Sequence, residues 1–190
     1  MTIDMKPEVQ LDTNYYKVIG IRKLTDHTFV LSLPKSRFEF VAGQHVSLSI
    51  TGDYQSREYS IYSAEKGENL ELLVKEVEGG YFSPKLKHLK VGDMVEVHGP
   101  FGKFGLDEKN KDTHQHVFIA SGTGIAPFHS MVKSNPDLNY HLIHGVRNAG
   151  EAYEQETYNK ANHTLCTSRD KSGDYNGRVT DYLKNVEFDE

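Results

Sequence analysis

The chain has 190 residues, of which 37% are hydrophobic and 26% charged, and its formal net charge is -5. That composition excludes a disordered polypeptide, and the acidic balance argues against nucleic-acid binding. No run reaches the roughly 18 apolar residues that a membrane-spanning helix needs, and the opening stretch, with its acidic residues, lacks the apolar core of a secretory signal. The single cysteine, Cys166, excludes a disulfide framework and any all-cysteine metal or iron–sulfur site within the chain. No metal site is expected, and the cysteine usage fits a reducing cytoplasm. Ten histidines are scattered without an H-E-x-x-H pattern and read as surface residues.

In chain order, residues 1–14 form a polar lead-in. Residues 15–24 and 28–33 alternate apolar and polar side chains around Asp26-His27, which predicts a β-hairpin ended by Pro34. Gly43 marks a bend before a strand at 45–50, and Thr51-Gly52-Asp53 is turn chemistry. A strand at 56–63 follows, then a turn at 66–69 and a strand at 70–77. About six short strands at this spacing predict an antiparallel barrel. In the 56–63 strand, Arg57 and Tyr59 share a face, and Ser60 sits at the turnover of the pleat. A cationic fork, an aromatic face and a small hydroxyl together suit a flavin nucleotide. The same three residues also suit an exposed strand with a solvated arginine and a tyrosine packed on the core.

Gly79-Gly80 break the strand pattern, and Ser83-Pro84 predict a short helix capped by Ser83, with Leu86 and Leu89 on its buried side. Backbone N–H groups behind paired glycines are what a pyrophosphate needs, although an ordinary strand–turn–helix has the same signature. A last barrel strand is expected at 94–98. Residues 1–105 therefore form one domain, residues 106–115 a polar linker, and residues 116–190 a second domain. There the pattern becomes β-α-β-α-β-α: strands at 116–120, 140–144 and 163–167, helices at 127–133, 149–160 and 178–184. This order implies a parallel sheet with right-handed crossovers.

Ligands of such sheets sit at the carboxyl ends of the strands. Gly122, Thr123 and Gly124 after the first strand let a backbone approach a ligand closely, and Pro127 opens the helix behind them; tight strand-to-helix packing would explain the same glycines. Arg147 follows the second strand, Ser168 and Arg169 the third, and Arg178 opens the next helix. Together they would clamp a 2′-phosphate, which favours NADPH over NADH. Each arginine taken singly also fits a solvated surface position.

The motifs, in this order, resemble the ferredoxin–NADP(H) reductase superfamily over nearly the whole chain. Arg57-Glu58-Tyr59-Ser60 is similar to its R-x-Y-S flavin motif and Gly80-Tyr81-Phe82-Ser83 to its G-x-x-S pyrophosphate motif. Gly99-Pro100-Phe101-Gly102 is similar to the barrel-closing turn, and the stretch from Gly122 to Pro127 to the nicotinamide-nucleotide loop. Ser168-Arg169 and Gly177-Arg178-Val179 are similar to the 2′-phosphate segment of the bacterial reductases. The resemblance implies an FAD-binding β-barrel followed by an NADP-binding α/β domain. Tyr59, Ser60 and Thr123 would lie at the reacting centre, with Tyr59 stacked on the flavin ring. Arg57, Ser63, Gly80 and Ser83 would hold FAD; Gly122, Gly124, Arg147, Ser168, Arg169 and Arg178 would serve NADP(H). It implies hydride exchange with NADPH and single-electron exchange with a carrier protein, ferredoxin or flavodoxin. Lys85, Lys87, Lys90 and Lys103 could offer such a carrier a basic face, or simply be solvated. A truncated or partner-completed flavoprotein, or an NADH-dependent reductase with another acceptor, are the other expectations. Family members continue into a strand bearing a Cys-Gly motif and a further helix, whereas this sequence ends at Phe188-Asp189-Glu190. The second domain is thus expected to be C-terminally shortened, with an exposed apolar edge and with Cys166 as a small buried residue.

Overall fold

A computed structural model describes residues 14–35 and 38–186. The lead-in expected at the amino end, apart from residue 14, and the last four residues lie outside the described residues.

The first strand expected at 15–24 is two strands, β1 (Tyr15–Lys17) and β2 (Gly20–Lys23). The break has a cause. The Val18 N–H donates to Asp93 O at 2.8 Å and the Ile19 N–H to Ser32 O at 3.0 Å, so the chain hands over from one sheet to another between these residues. Strands β3 (Thr28–Pro34), β4 (His45–Ile50), β5 (Ser56–Ser60), β6 (Asn69–Lys75) and β7 (Met94–Phe101) complete the antiparallel part. They form one sheet in the order β1-β7-β4-β5 and another in the order β2-β3-β6. β5 ends at Ser60, earlier than expected, because the next residues change sheets: Ile61 bridges to Leu72 and the Tyr62 N–H donates to Glu71 O at 2.8 Å. The barrel interior is filled by Val18, Leu31, Val46, Leu48, Leu72 and Val97, all at most 1% exposed. Burying each large aliphatic side chain contributes roughly 2 kcal/mol.

Helix α1 (Ser83–Lys87) buries Leu86 in the barrel core, with Leu89 packed against it. Its cap position is occupied by Phe82 and makes no side-chain cap bond, so Ser83 is not the expected cap.

The second part is a parallel sheet in the order β11-β10-β9-β8, built from β8 (His116–Ser121), β9 (Tyr140–Val146), β10 (His163–Thr167) and β11 (Tyr175–Asn176). The two-residue β11 has too little pattern to be read from sequence. Helices α2 (Ala126–Ser134) and α3 (Val179–Leu183) match their expected places, and a 3-10 turn, Gly122–Ile125, leads into α2. The helix expected at 149–160 does not form. Three 3-10 turns replace it, with Glu154 left-handed at φ 50° between them. Tyr153 and Tyr158 flank that kink and are both buried; an unbroken helix would set residues five apart about 140° apart around its axis. β8 lies at the sheet edge, and its Ile119 is 46% exposed.

One apolar cluster is shared by the two parts. It joins Val30, Ala42, Tyr62 and Leu73 of the barrel to Phe118, Ile125, Met131 and Leu142 of the parallel unit. Among the described residues no helix is long and apolar enough to cross a membrane.

Candidate functional site

A cleft of about 1250 Å³ opens between the barrel and the carboxyl ends of the parallel strands. Its barrel wall includes Arg57, Tyr59 and Ser60 of β5, with Gly80 and Ser83 beside them; the opposite wall includes Thr123, Gly124 and Arg147. Residues far apart in sequence are thus brought to one space by the two sheets.

Among the described residues β5 is an edge strand paired with β4 alone, which leaves its outer backbone edge facing the cleft side open to a ligand. The Arg57 guanidinium donates to Ser56 O at 2.7 Å and Gln55 Oε1 at 3.0 Å, and lies 5.8 Å from the centre of the Phe82 ring. These contacts hold an exposed cation in place without neutralising it. Tyr59 packs partly on the barrel core while lining the cleft. Burial pushes its phenol up to about 12, against a smaller opposing effect of Arg57, so it is a neutral hydrogen-bond donor at physiological pH.

The turn before α1 is closely packed. Gly79 has φ +70°, and a Cβ on Gly80 would come within 2.8 Å of Val77 O. Ser83 Oγ accepts the Val77 N–H at 2.8 Å, which leaves its own proton to donate. On the opposite wall, Gly122 is left-handed at φ +53°, and the position of the absent Cβ on Gly124 faces open space. Pro127 lies in the first turn of α2.

Parallel register sets the arginines. Val146 pairs with Thr167 and Thr167 with Asn176, so Arg147, Ser168 and Arg178 all follow the same end of the sheet. The Ser168 N–H donates to Val146 O at 3.1 Å and the Arg169 N–H to Arg147 O at 2.9 Å. Arg147 lines the cleft; Ser168, Arg169 and Arg178 lie on the adjoining strand ends rather than on its walls. Gly122 turns its carbonyl inward, where it accepts from His144 Nε2 at 3.0 Å. Ser63 is buried at 4% exposure, and its hydroxyl accepts the Glu71 N–H at 3.1 Å.

Several cleft residues carry no sequence signal. Lys75 spans to Glu151 at 2.8 Å across the two parts. Glu76 accepts from Lys87 at 2.6 Å and from His27 at 3.1 Å, and the first of these contacts does most to hold its carboxyl below the usual range. Lys85, in turn, pairs with Asp53 at 2.8 Å. The histidines also depart from expectation: His129 and His144 are buried, at 0% and 1% exposure.

FAD suits this donor set. A guanidinium, a neutral phenol, hydroxyls and a glycine turn without room for a side chain line one wall of a cleft large enough for an extended dinucleotide.

Comparison with known proteins agrees. Residues 21–105 match the family of the oxidoreductase FAD-binding domain. The chain is 31% identical over 183 residues to the toluate 1,2-dioxygenase electron transfer component of Pseudomonas putida, an alignment covering 88% of this chain and 54% of that protein. It is also 31% identical over 141 residues to the flavodoxin/ferredoxin–NADP reductase of Shigella flexneri, covering 71% and 57% respectively. A crystal structure of a ferredoxin NADP+ reductase from Neisseria gonorrhoeae with bound FAD and NADP shares the fold, with TM-score 0.79 and 23% identity over 90% of this chain and 75% of that one. The chain spans about half the length of the curated relatives it matches. Residues 21–105 belong to that FAD-binding domain family, and the chain as a whole is similar to ferredoxin reductase-like FAD-binding proteins.

Proposed function

We propose that this protein is an FAD-dependent oxidoreductase that takes a hydride from NADPH and delivers electrons singly to a carrier protein such as ferredoxin or flavodoxin, in the cytoplasm. The observation that carries the reading is the shared cleft, where Arg57, Tyr59 and Ser60 face Thr123, Gly124 and Arg147. FAD, when bound, supplies the hydride and one-electron chemistry that no side chain here possesses. The chain's own part is to position and insulate. Tyr59 offers a flat ring and an un-ionised hydroxyl; Ser60 offers a donor beside it. Arg57 and Ser83, with the Gly80 turn, hold the flavin pyrophosphate. Thr123 and Gly124 admit the nicotinamide nucleotide, and Arg147, Ser168, Arg169 and Arg178 meet its 2′-phosphate. On the carrier face, Lys85 and Lys87 already pair with Asp53 and Glu76, so Lys90 and Lys103 are left as the better candidates for an acidic partner.

The test is a visible absorption spectrum of the purified protein, followed by anaerobic addition of NADPH. Flavin bands that bleach are the expected result. Absence of flavin after FAD is supplied overturns the proposal. Bands that persist favour a second reading, a flavoprotein whose nicotinamide side is completed by a further segment or chain. The exposed edge of β8 at Ile119 is the observation behind it.

A further inference from the structure

We propose that His144 is a positioning residue for the nicotinamide nucleotide: it holds the Gly122–Thr123 peptide so that the Thr123 N–H faces the cleft. This inference rests on the reading of the cleft as a flavin and nicotinamide site.

His144 sits on β9 in the interior of the parallel unit, one residue before the glycine that pairs with Ser121 of β8 and Cys166 of β10. Leu142 and Ile143 on the same strand are fully buried and apolar. An imidazole is costly there unless bonded. Its Nε2 lies 3.0 Å from Gly122 O. A carbonyl only accepts, so the proton is on Nε2. Burial, the largest influence, lowers the pKa of this ring to about 4 despite the opposing hydrogen bond, so it carries no charge at neutral pH.

The consequence follows from the planarity of the peptide bond. In a trans peptide the C=O and the following N–H point in opposite directions. Drawing the Gly122 carbonyl inward onto His144 turns the Thr123 N–H outward. Thr123 lies in the first turn of the 3-10 segment Gly122–Ile125, where N–H groups have no partner within the helix. It also lines the cleft. Gly122, at φ +53° and with open space around a would-be Cβ, is free to swing. A loop hinged on such a residue needs an anchor, and the buried imidazole is that anchor. The bond spans 22 residues of sequence, and through it β9 sets the geometry of a turn that follows β8.

The test compares the FAD-loaded wild-type protein with His144→Phe, which keeps a flat ring and loses the donor, and His144→Gln, whose amide N–H can reach the position of Nε2. NADP+ and NAD+ are titrated while the flavin difference spectrum is followed, with 2′-AMP as a probe of the arginine edge alone. The Phe variant is expected to bind NADP+ about tenfold more weakly, with 2′-AMP binding and the flavin spectrum unchanged, and the Gln variant to recover most of the loss. Histidine labelled with 15N should show the neutral Nε2–H tautomer at pH 7. A melting temperature that falls while NADP+ affinity holds would reduce His144 to a structural role and overturn the proposal. Equal weakening of 2′-AMP, or a tautomer protonated on Nδ1, overturns it as well. Should the wild type itself bind neither NADP+ nor NAD+, the reading of the cleft fails first. If the Phe variant does not fold, the Gln variant and the tautomer measurement decide.

Discussion

His129 lies face to face on Tyr62, with ring centroids 3.8 Å apart and planes 11° from parallel. This stack joins α2 to the segment that continues from β5. His129 Nδ1 meets the Tyr158 hydroxyl at 2.8 Å, and Tyr62 donates to Glu154 Oε2 at 2.7 Å. Arg22 of β2 pairs with the other oxygen of Glu154.

Burial lowers the pKa of His129 to about 3 and that of His144 to about 4. In the unfolded chain both titrate near 6.5. Below that value the unfolded state binds more protons than the folded one, so stability rises with pH up to about 6.5 and falls as the solution is made more acid. Each group adds a slope approaching about 1.4 kcal/mol per pH unit until its folded-state value is reached. Urea midpoints should hold above pH 7 and decline from pH 6.5 towards 5, before the carboxylates titrate. His129→Phe should lessen that slope. A flat midpoint across this window would contradict the assignment of these rings as buried and neutral.

Glu154→Ala removes the acceptor for Tyr62 and the partner of Arg22 in one change. Leaving the buried Tyr62 hydroxyl unpaired should cost about 2–3 kcal/mol of unfolding free energy. Glu154→Gln retains an acceptor and should cost less. Chemical denaturation measures both, and equal effects would show that charge at this site matters more than the hydrogen bond.

Arg57→Ala should weaken FAD retention by tenfold or more, since a charge-assisted bond to phosphate is worth about 1.5–3 kcal/mol. Fluorimetric titration of the apoprotein with FAD reads this directly. Because Arg57 is exposed and its bonds go to the two residues just before it in the chain, the fold should be unaffected, and the melting temperature of the apoprotein checks that.

Arg169→Ala should lower the preference for NADPH over NADH by about tenfold while leaving NADH turnover unchanged. The ratio of kcat/KM for the two nucleotides is the measurement. A ratio that does not fall would remove Arg169 from the 2′-phosphate site.

The barrel strands and the glycine turns were legible because they depend on local chemistry. Alternation marks β3 and β4, Thr51-Gly52-Asp53 marks a turn, and Gly122 is a residue that tolerates a left-handed backbone. That Arg57 and Tyr59 share a strand and that Thr123 follows another is legible for the same reason, and the structure places all three along one cleft. What local reading missed depends on distant partners. The break between β1 and β2 is caused by Asp93 and Ser32. The loss of the helix at 149–160 follows from burying Tyr153 and Tyr158 on either side of a kink. The Arg22–Glu154 pair, the Lys75–Glu151 bridge across the cleft and the buried His144 depend on contacts that no spacing rule encodes, with Arg22 and Glu154 lying 132 residues apart.

The irregular run between β9 and β10 is fastened to the barrel at several points: Tyr153 to Thr28 at 3.1 Å, Glu154 to Tyr62 and Arg22, and Glu151 to Lys75. It works as a strut. The gap between Tyr59 and Thr123 is therefore set when the chain folds, and the entropy of bringing the two cleft walls together is spent at that stage. On the proposed reading, an arriving nucleotide would meet a gap whose width the strut has already fixed. Its binding energy would remain available for orientation, and the spacing of the two walls becomes an inherited dimension of the protein, open to change by mutations that cut the strut.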